Sequence, residues 1–374
     1  MIGGMTSDRR NLLTVGEAAP WFRAAAFGGR ADYAFDLAGG RAVLMCFFGT
    51  TRHLPAQAAL DELQRRRELF DDRSACFYGV TVDPGDSEQG RIVPQLPGIR
   101  FFLDHDRAVS RLYGAARADD PSYAGHWLLL DASLRVAGVF PLGDASAALD
   151  ACARLALQPF EGDWAPVLQV PDILEPDLCR RLIDFYEERG GEQSGFMRDV
   201  GGMTRLLLDP AHKVRSDRTV DDPGLMKALH LRVFHRLKPM IMRAFQFDPT
   251  RIERLLVGCY DAETGGHFRT HRDNTSRGTA HRRFAVTINL NADEYEGGEL
   301  VFPEYGSRRY KPPTGGAVVF SCSLLHQAMP VTRGRRYAFL PFLYDEEGAK
   351  LREQNAHFLE GDLAKYEANA AKAG

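Results

Sequence analysis

The fold and the chemistry of this chain are decided by residues 260–273, which read Y-D-A-E-T-G-G-H-F-R-T-H-R-D. His271 and Asp273 stand two positions apart, so a strand would place both side chains on one face. A third candidate ligand, His326, lies further along the chain. Two histidines and one carboxylate hold one face of an octahedral metal and leave the other positions open. This set suits Fe(II) that must bind a co-substrate and then O2.

The residues around the H-x-D pair are what make it specific. A bare H-x-D is weak evidence, because chance supplies such pairs in a chain of this length. The run from Tyr260 to Asp273 fits Y-x(5)-G-x-[FY]-x-x-H-x-D, G-G-E-L follows at residues 297–300, and Arg336 stands ten residues after His326. Over roughly the C-terminal half, this arrangement resembles the 2-oxoglutarate/Fe(II) dioxygenases of the prolyl 4-hydroxylase-like superfamily.

The resemblance implies a hydroxylase and assigns a role to each residue of the pattern. His271, Asp273 and His326 are expected to bind Fe(II). Arg336 is expected to bind the far carboxylate of 2-oxoglutarate, since a guanidinium can bond two oxygens at once, and Tyr260 adds a hydroxyl donor. O2 would be consumed, with release of succinate and CO2. Ascorbate is a further candidate cofactor.

Two other histidines near the pattern need an interpretation. His267 is the main competing ligand, because it lies four residues before His271 and a strand would place both on the same face. The spacing of glycine and aromatic residues matches the family only when His271 is the ligand. His281 lies in the polar segment after Asp273 and is predicted to be a surface residue.

The segment around the metal motif is unusually basic. Two interpretations stay open: these arginines attract an acidic substrate, or they solvate a loop. The chain as a whole has a net charge of -3, which gives no general attraction to nucleic acid or to anionic membranes. Neither is expected as a partner. The arginines are Arg269, Arg272, Arg277, Arg282 and Arg283.

The amino-acid composition is typical of an ordinary globular protein. At 374 residues the chain predicts two domains, with 44% hydrophobic and 26% charged residues. The N-terminus lacks the apolar core of a signal peptide, and the longest apolar run, 42–48, is too short to span a bilayer. We therefore expect a cytoplasmic protein. The six cysteines are scattered without a C-x-x-C pair, which favours buried, reduced thiols over disulfides or a structural zinc site.

Residues 1–157 alternate short apolar runs with helical patterns, which predicts an α/β domain. Residues 42–57, A-V-L-M-C-F-F-G-T-T-R-H-L-P-A-Q, resemble the strand and active-site loop of thioredoxin-like and peroxiredoxin proteins. That family commonly has a cysteine before the proline that opens the helix, whereas here Leu54 precedes Pro55. Cys46 lies inside a strand and is predicted to be a core residue. We expect this domain to be redox-inactive and to serve recognition or assembly.

Residues 158–171 carry three prolines and lose periodicity, which predicts a linker. Residues 172–374 are predicted to form the dioxygenase domain, an α+β double-stranded β-helix, or jelly roll. Within it we predict a mobile loop at 190–202, a helix at 224–247 kinked at Pro239, and one strand over 337–344.

Two other functions are weighed against a hydroxylase. A thiol-dependent peroxidase or redox protein needs a reactive cysteine, which the N-terminal loop lacks. A non-catalytic binding protein would need a broken triad or co-substrate grip, and neither is visible. The substrate stays open between a protein residue or peptide, an amino acid and a small metabolite. A homodimer is the candidate assembly.

Overall fold

A computed structural model of the protein describes residues 12–27, 29–157 and 164–360. The chain divides into two compact units with the boundary between Asp163 and Trp164, and with the segment Pro303–Gly306 counted in the first. Within the described residues, no helix combines the length and the apolar character needed to cross a membrane.

The N-terminal unit is built on one mixed sheet. Its described strands and helices are β1 (Arg23–Ala24), β2 (Ala26–Phe27), β3 (Tyr33–Ala34), β4 (Ala42–Gly49), α1 (Leu54–Arg65), β5 (Ala75–Thr81), α2 (Pro84–Glu88), β6 (Ile99–Leu103), α3 (Ala108–Leu112), β7 (His126–Leu130), β8 (Val136–Pro141) and α4 (Ala145–Leu157). The sheet order is β2-β6-β5-β4-β7-β8, with β4, β5 and β6 parallel and the other pairs antiparallel. The predicted α/β character of this unit is confirmed.

Strand β4 is buried on both faces, as its continuous apolar run predicts. Leu44 and Cys46 point to the face that α1 and α4 cover. Met45 and Phe47 point to the opposite face, which packs a cluster of aromatic rings. All six cysteines of the chain are buried and unpaired, so the prediction of buried thiols is confirmed.

The C-terminal unit is rich in sheet. Its described elements are β9 (Leu168–Val170), α5 (Pro176–Arg189), β10 (Glu192–Gln193), β11 (Phe196–Val200), β12 (Met203–Leu207), β13 (Lys213–Val214), β14 (Ser216–Thr219), α6 (Pro223–Arg232), α7 (Lys238–Phe245), β15 (Arg251–Glu253), β16 (Leu256–Asp261), β17 (His267–His271), β18 (Phe284–Asn289), β19 (Glu296–Gly297), β20 (Leu300–Val301), β21 (Arg309–Tyr310), β22 (Ala317–Ser321), β23 (His326–Ala328), β24 (Val331–Arg333), β25 (Arg335–Phe339), β26 (Phe342–Tyr344) and α8 (Glu346–Asn355).

Two antiparallel sheets dominate this unit, an arrangement consistent with a jelly roll. The larger follows the order β10-β14-β16-β25-β18-β22-β9, and the smaller follows β13-β17-β23-β20-β21. Helices α5, α6 and α7 cover one face of the larger sheet with residues such as Leu182, Leu229 and Ile241. Alternate residues of its strands therefore point to the opposite face, where a site can form.

Three local predictions need correction. The predicted loop at 190–202 contains β10 and β11, because Gly201 and Gly202 adopt positive φ angles and turn β11 back onto β12 as a hairpin. The predicted strand over 337–344 is two strands, β25 and β26, separated at Pro341, which has no N–H to donate. Strand β9 lies inside the predicted linker and pairs with β22, as the alternation of Leu168 and Val170 allows.

The helical stretch before the site is interrupted close to where proline predicts. Helix α6 ends at Arg232, a π-helical turn follows at Val233–Leu237, and α7 begins at Lys238. Pro239 has no N–H for the helical hydrogen-bond pattern, so the irregular turn directly before it is the expected response. Helix α8 begins at Glu346, and residues 361–374 lie outside the described residues.

Candidate metal centre

Three side chains converge where β17 ends. His271 closes that strand, Asp273 follows two residues later, and His326 opens β23. One carboxylate oxygen of Asp273 lies 3.5 Å from His271 Nε2, and the other lies 3.4 Å from His326 Nε2. One ligand atom from each residue lies within 4.8 Å of the others, and the part of the chain that the structure describes holds no second group of this kind.

Both histidines are oriented by their other ring nitrogen. The Nδ1 atom of His271 lies 2.7 Å from the carbonyl oxygen of Arg269, and Nδ1 of His326 lies 3.0 Å from that of Leu324. A carbonyl only accepts, so each Nδ1 carries the proton and each Nε2 presents a lone pair towards Asp273. This is the arrangement that protein metal sites use to fix the tautomer of a histidine ligand.

The protonation states also suit a cation. Burial is the main reason that the pKa of His271 is lowered to about 4, so the ring is neutral at pH 7. Burial alone would raise the pKa of Asp273, but His326, His271 and Arg282 outweigh it and lower this pKa well below its usual range. A neutral imidazole and an ionised carboxylate are the forms that bind a metal.

His267 lies on the other face of β17. On strand β23, Ala328 lies opposite Phe268. His326 lies opposite His271, so three steps along β17 match two along β23. This bulge turns Phe268 and His271 to the same face, where their rings stack with centroids 3.5 Å apart. The expectation that His267 and His271 share a face is wrong, because simple alternation fails at the bulge.

Arg336, Tyr260 and Asn289 form a row on the inner face of the larger sheet. Arg336 is 2% exposed, lies opposite Tyr260 in the pairing of β25 with β16, and has its guanidinium 5.1 Å from the Tyr260 ring. Its Nε donates to Asn289 Oδ1 at 3.3 Å. No carboxylate among the described residues pairs with it. The neighbouring Arg333 and Arg335 instead form ion pairs of their own at the surface.

Most of the basic segment serves the fold. Arg282 is buried and donates to both oxygens of Glu253, at 3.2 and 2.7 Å, while a third N–H reaches the carbonyl of Asp273 at 3.4 Å. His281 is 2% exposed and bonds to the same Glu253 at 2.6 Å, so its prediction as a surface residue is wrong. Arg272 is also buried and donates to the Ser323 carbonyl. This network fastens the chain next to Asp273.

The sequence interpretation missed two cations beside the site. Lys213 on β13 lies opposite Phe268, with its Nζ 4.8 Å from that ring. Arg215 donates through Nη1 to the hydroxyl of Tyr260 at 3.3 Å. The available signal was K-V-R at 213–215, two cations at alternate positions, which a strand turns to one face.

Residues 255–344 match the family described as the 2OG-Fe(II) oxygenase superfamily. The C-terminal region belongs to that superfamily. The matched residues include the converging triad together with Tyr260 and Arg336.

The chain is similar to two curated hydroxylases and to a solved structure. A PKHD-type hydroxylase of Pseudomonas fluorescens is 28% identical over 211 residues, which cover 53% of this chain and 86% of the relative. A PKHD-type hydroxylase of Stutzerimonas stutzeri is 36% identical over 128 residues, 32% of this chain and 54% of the relative. A solved prolyl hydroxylase of Trichoplax adhaerens, in complex with a hypoxia inducible factor peptide, has a TM-score of 0.41 at 18% identity, covering 50% of this chain and 86% of its own.

The chain is therefore an Fe(II)- and 2-oxoglutarate-dependent hydroxylase. The superfamily match and the hydroxylase relatives support this class of reaction and this co-substrate. They leave the substrate and the role of each side chain to be argued from the site itself.

Proposed function

We propose that His271, Asp273 and His326 bind the Fe(II) of this hydroxylase. The observation that carries the proposal is the convergence of their ligand atoms within 4.8 Å, with both histidines already held through Nδ1. Two imidazole nitrogens and one carboxylate are the donor set that iron oxygenases use while keeping positions open. Two aromatic rings lie beside His326 and keep this side of the site apolar. The ring centroid of His326 is 4.6 Å from that of Phe320 and 6.2 Å from that of Phe302.

We further propose that Arg336 binds the far carboxylate of 2-oxoglutarate and that Tyr260 donates its hydroxyl to the same molecule. Arg336 is buried with the amide oxygen of Asn289 as its acceptor and without a carboxylate from the described chain, so an incoming carboxylate would complete its bonding. Arg215 donates to the Tyr260 oxygen and thereby leaves the phenolic hydrogen free to donate.

These residues bind, orient and keep water away. Iron with 2-oxoglutarate supplies the oxidation: one oxygen atom of O2 enters a C–H bond of the substrate, and the other enters succinate as CO2 leaves. The substrate is a protein residue, an amino acid or a small metabolite. Dependence on ascorbate and assembly as a homodimer stay predictions.

The N-terminal unit is proposed as a thioredoxin-like domain without redox activity, over residues 1–157. Leu54 stands where a reactive cysteine is expected and is 77% exposed at the start of α1. Cys46 is fully buried, and burial raises its pKa well above the usual range, so it offers no thiolate. The dioxygenase domain is proposed over residues 172–374.

The test combines turnover with mass analysis. The full-length protein is incubated with Fe(II), 2-oxoglutarate and O2, succinate is quantified, and candidate substrates are examined by intact mass for the gain of one oxygen atom. We expect succinate from the wild type and none when Asp273 is replaced by alanine. Equal succinate from both proteins would remove the proposed site.

A further inference from the structure

Lys213 is a buried ammonium without a matching carboxylate. It is 4% exposed, and its Nζ donates to the hydroxyl of Ser194 and to the carbonyl of Gly195, each at 2.6 Å. Both acceptors are neutral, and none of the described carboxylates forms an ion pair with it. A buried cation without a counter-charge is costly, so the fold retains Lys213 at the expense of stability.

The neighbouring charges do not compensate for Lys213. Asp217 is bound by Arg215 through Nε and Nη2 at 2.6 and 2.7 Å, and Arg254 reaches the same carboxylate at 3.3 Å. The carboxylate of Asp217 is thus shared by the guanidinium groups of Arg215 and Arg254, and it forms no ion pair with Lys213. Burial, followed by the charge of Arg215, holds the pKa of Lys213 well below its usual range. With Lys213, three basic side chains thus lie near one carboxylate, and the lowered pKa shows that these surroundings disfavour the charged form of Lys213 while no anion is bound.

This cluster borders the candidate metal centre. Lys213 packs on Phe268, whose ring stacks on His271. In the larger sheet, β16 lies between β14 and β25, so Tyr260 lies between Arg215 on one side and Arg336 on the other. The guanidinium of Arg215 is 5.6 Å from the Tyr260 ring, and that of Arg336 is 5.1 Å from it.

The number of carboxylates on the co-substrate distinguishes the role of Arg336 from that of Lys213. The co-substrate has two carboxylates, and the proposed metal and Arg336 account for both. Lys213 is then left without a carboxylate partner among the described residues, whereas Arg215 is already held by Asp217. We infer that Lys213 forms a second anion-binding subsite, and that it takes a carboxylate of the molecule that is hydroxylated. This inference rests on the proposed function, because it assigns the co-substrate to Arg336.

The test uses full-length protein loaded with Mn(II) and saturated with N-oxalylglycine, an analogue of 2-oxoglutarate that is not turned over. Carboxylates and their matched amides are titrated in, namely acetate and acetamide, L-aspartate and L-asparagine, and L-glutamate and L-glutamine. Binding is measured as a rise in the thermal unfolding temperature. We expect at least one carboxylate, and not its amide, to stabilise the wild type.

Variants then assign the binding to Lys213. Lys213→Met should weaken carboxylate binding about tenfold or more, since hydrogen bonds to charged groups are among the stronger ones. Lys213→Arg, which keeps the charge, should retain much of it. Lys238→Met is the matched control, because Lys238 is paired with Asp248 at 2.6 Å outside the cluster. Without ligand, Lys213→Met should unfold at or above the wild-type temperature, since it removes an uncompensated buried charge.

Three results would overturn the inference. They are the absence of binding by every carboxylate of the panel, unchanged binding in Lys213→Met, and a Lys213→Met protein that loses affinity for N-oxalylglycine alone. The last would assign Lys213 to the co-substrate. Failure of the proposed function is separate: it would appear as wild-type protein that forms no succinate with Fe(II), 2-oxoglutarate and O2, whatever the Mn(II) protein binds.

Discussion

Each unit of the chain has a buried polar cluster, and the two clusters differ in how their charges are balanced. In the N-terminal unit, Asp86 is fully buried, accepts the hydroxyls of Thr51 and Thr81 at 2.6 and 2.5 Å, and lies 3.2 Å from the Arg91 guanidinium. In the C-terminal unit, Lys213 and Arg336 are buried without a described carboxylate partner. The first cluster satisfies itself and holds a loop, whereas the second has bonding capacity for ligands.

The same contrast holds for single histidines. His126 in the N-terminal unit also bonds through Nδ1 to the carbonyl two residues before it, at 3.0 Å, and stacks on Phe47. His271 has the same backbone bond but faces Asp273 and His326. A tied histidine is therefore an ordinary structural feature, and only the converging carboxylate and second ring mark a candidate ligand.

The largest effect is expected from removing a proposed ligand. His271→Ala or Asp273→Ala should abolish succinate formation and leave the fold intact, because each takes one ligand from a site with three. Iron content and succinate are the measurements. His267→Ala is the control and should retain most activity, since its side chain is on the opposite face. Full iron content in His271→Ala, or its loss in His267→Ala, would contradict the assignment.

Arg336 provides the next largest test. Arg336→Ala should raise the 2-oxoglutarate requirement sharply with little loss of iron, because removing one partner of a buried ion pair costs roughly 3 to 5 kcal/mol. The measurements are the apparent KM for 2-oxoglutarate and the iron content. Arg333→Ala and Arg335→Ala are matched controls with exposed side chains. If all three substitutions raise the 2-oxoglutarate requirement equally, then a general positive potential attracts the co-substrate and Arg336 makes no specific contact with it.

Acid should destabilise the metal-free protein through His271. Its folded pKa of about 4 lies below the ordinary value near 6.5, so the unfolded state binds the proton first as the pH falls. The free energy of unfolding should drop by about 2 kcal/mol between pH 7 and 5 from this group. Urea unfolding of the wild type and His271→Asn at both pH values measures it. Identical losses in the two proteins would remove His271 as the cause.

A smaller effect is expected from the network behind Asp273. Arg282→Met should weaken Fe(II) binding by about tenfold, since groups that hold metal ligands typically contribute that much. The dissociation constant for Fe(II), measured without O2, is the readout. Arg283→Met is the control, because the side chain of Arg283 is one-third exposed and its ion pair with Asp345 is long, at 3.8 Å. An unchanged iron affinity in Arg282→Met would leave the network a purely structural role.

The smallest effect on catalysis is expected in the N-terminal unit. Cys46→Ser and Cys76→Ser should leave succinate formation unchanged, although a buried hydroxyl without a partner lowers stability. Peroxide consumption is measured alongside. If the wild type consumes peroxide and Cys46→Ser does not, the chain is bifunctional. The N-terminal unit would then carry a reaction of its own, although its buried polar cluster around Asp86 is fully bonded.

What the sequence determined by itself is local or periodic. The continuous apolar run of β4 predicts a strand that is buried on both faces. The spacings from Tyr260 to Asp273 and from His326 to Arg336 identify the residues that the structure brings together. The kink beside Pro239 is equally local, since it follows from one missing N–H.

Only the tertiary structure decided the features that depend on pairing between distant strands. The bulge in β17 separates His267 from His271, and it exists because β23 supplies two residues against three. The burial of Arg282 follows from Glu253, which lies 29 residues away. The unbalanced charge of Lys213 likewise depends on which partners the folded chain places around it. Such facts are long-range, because charge balance and register are properties of neighbours that the order of residues along the chain does not reveal.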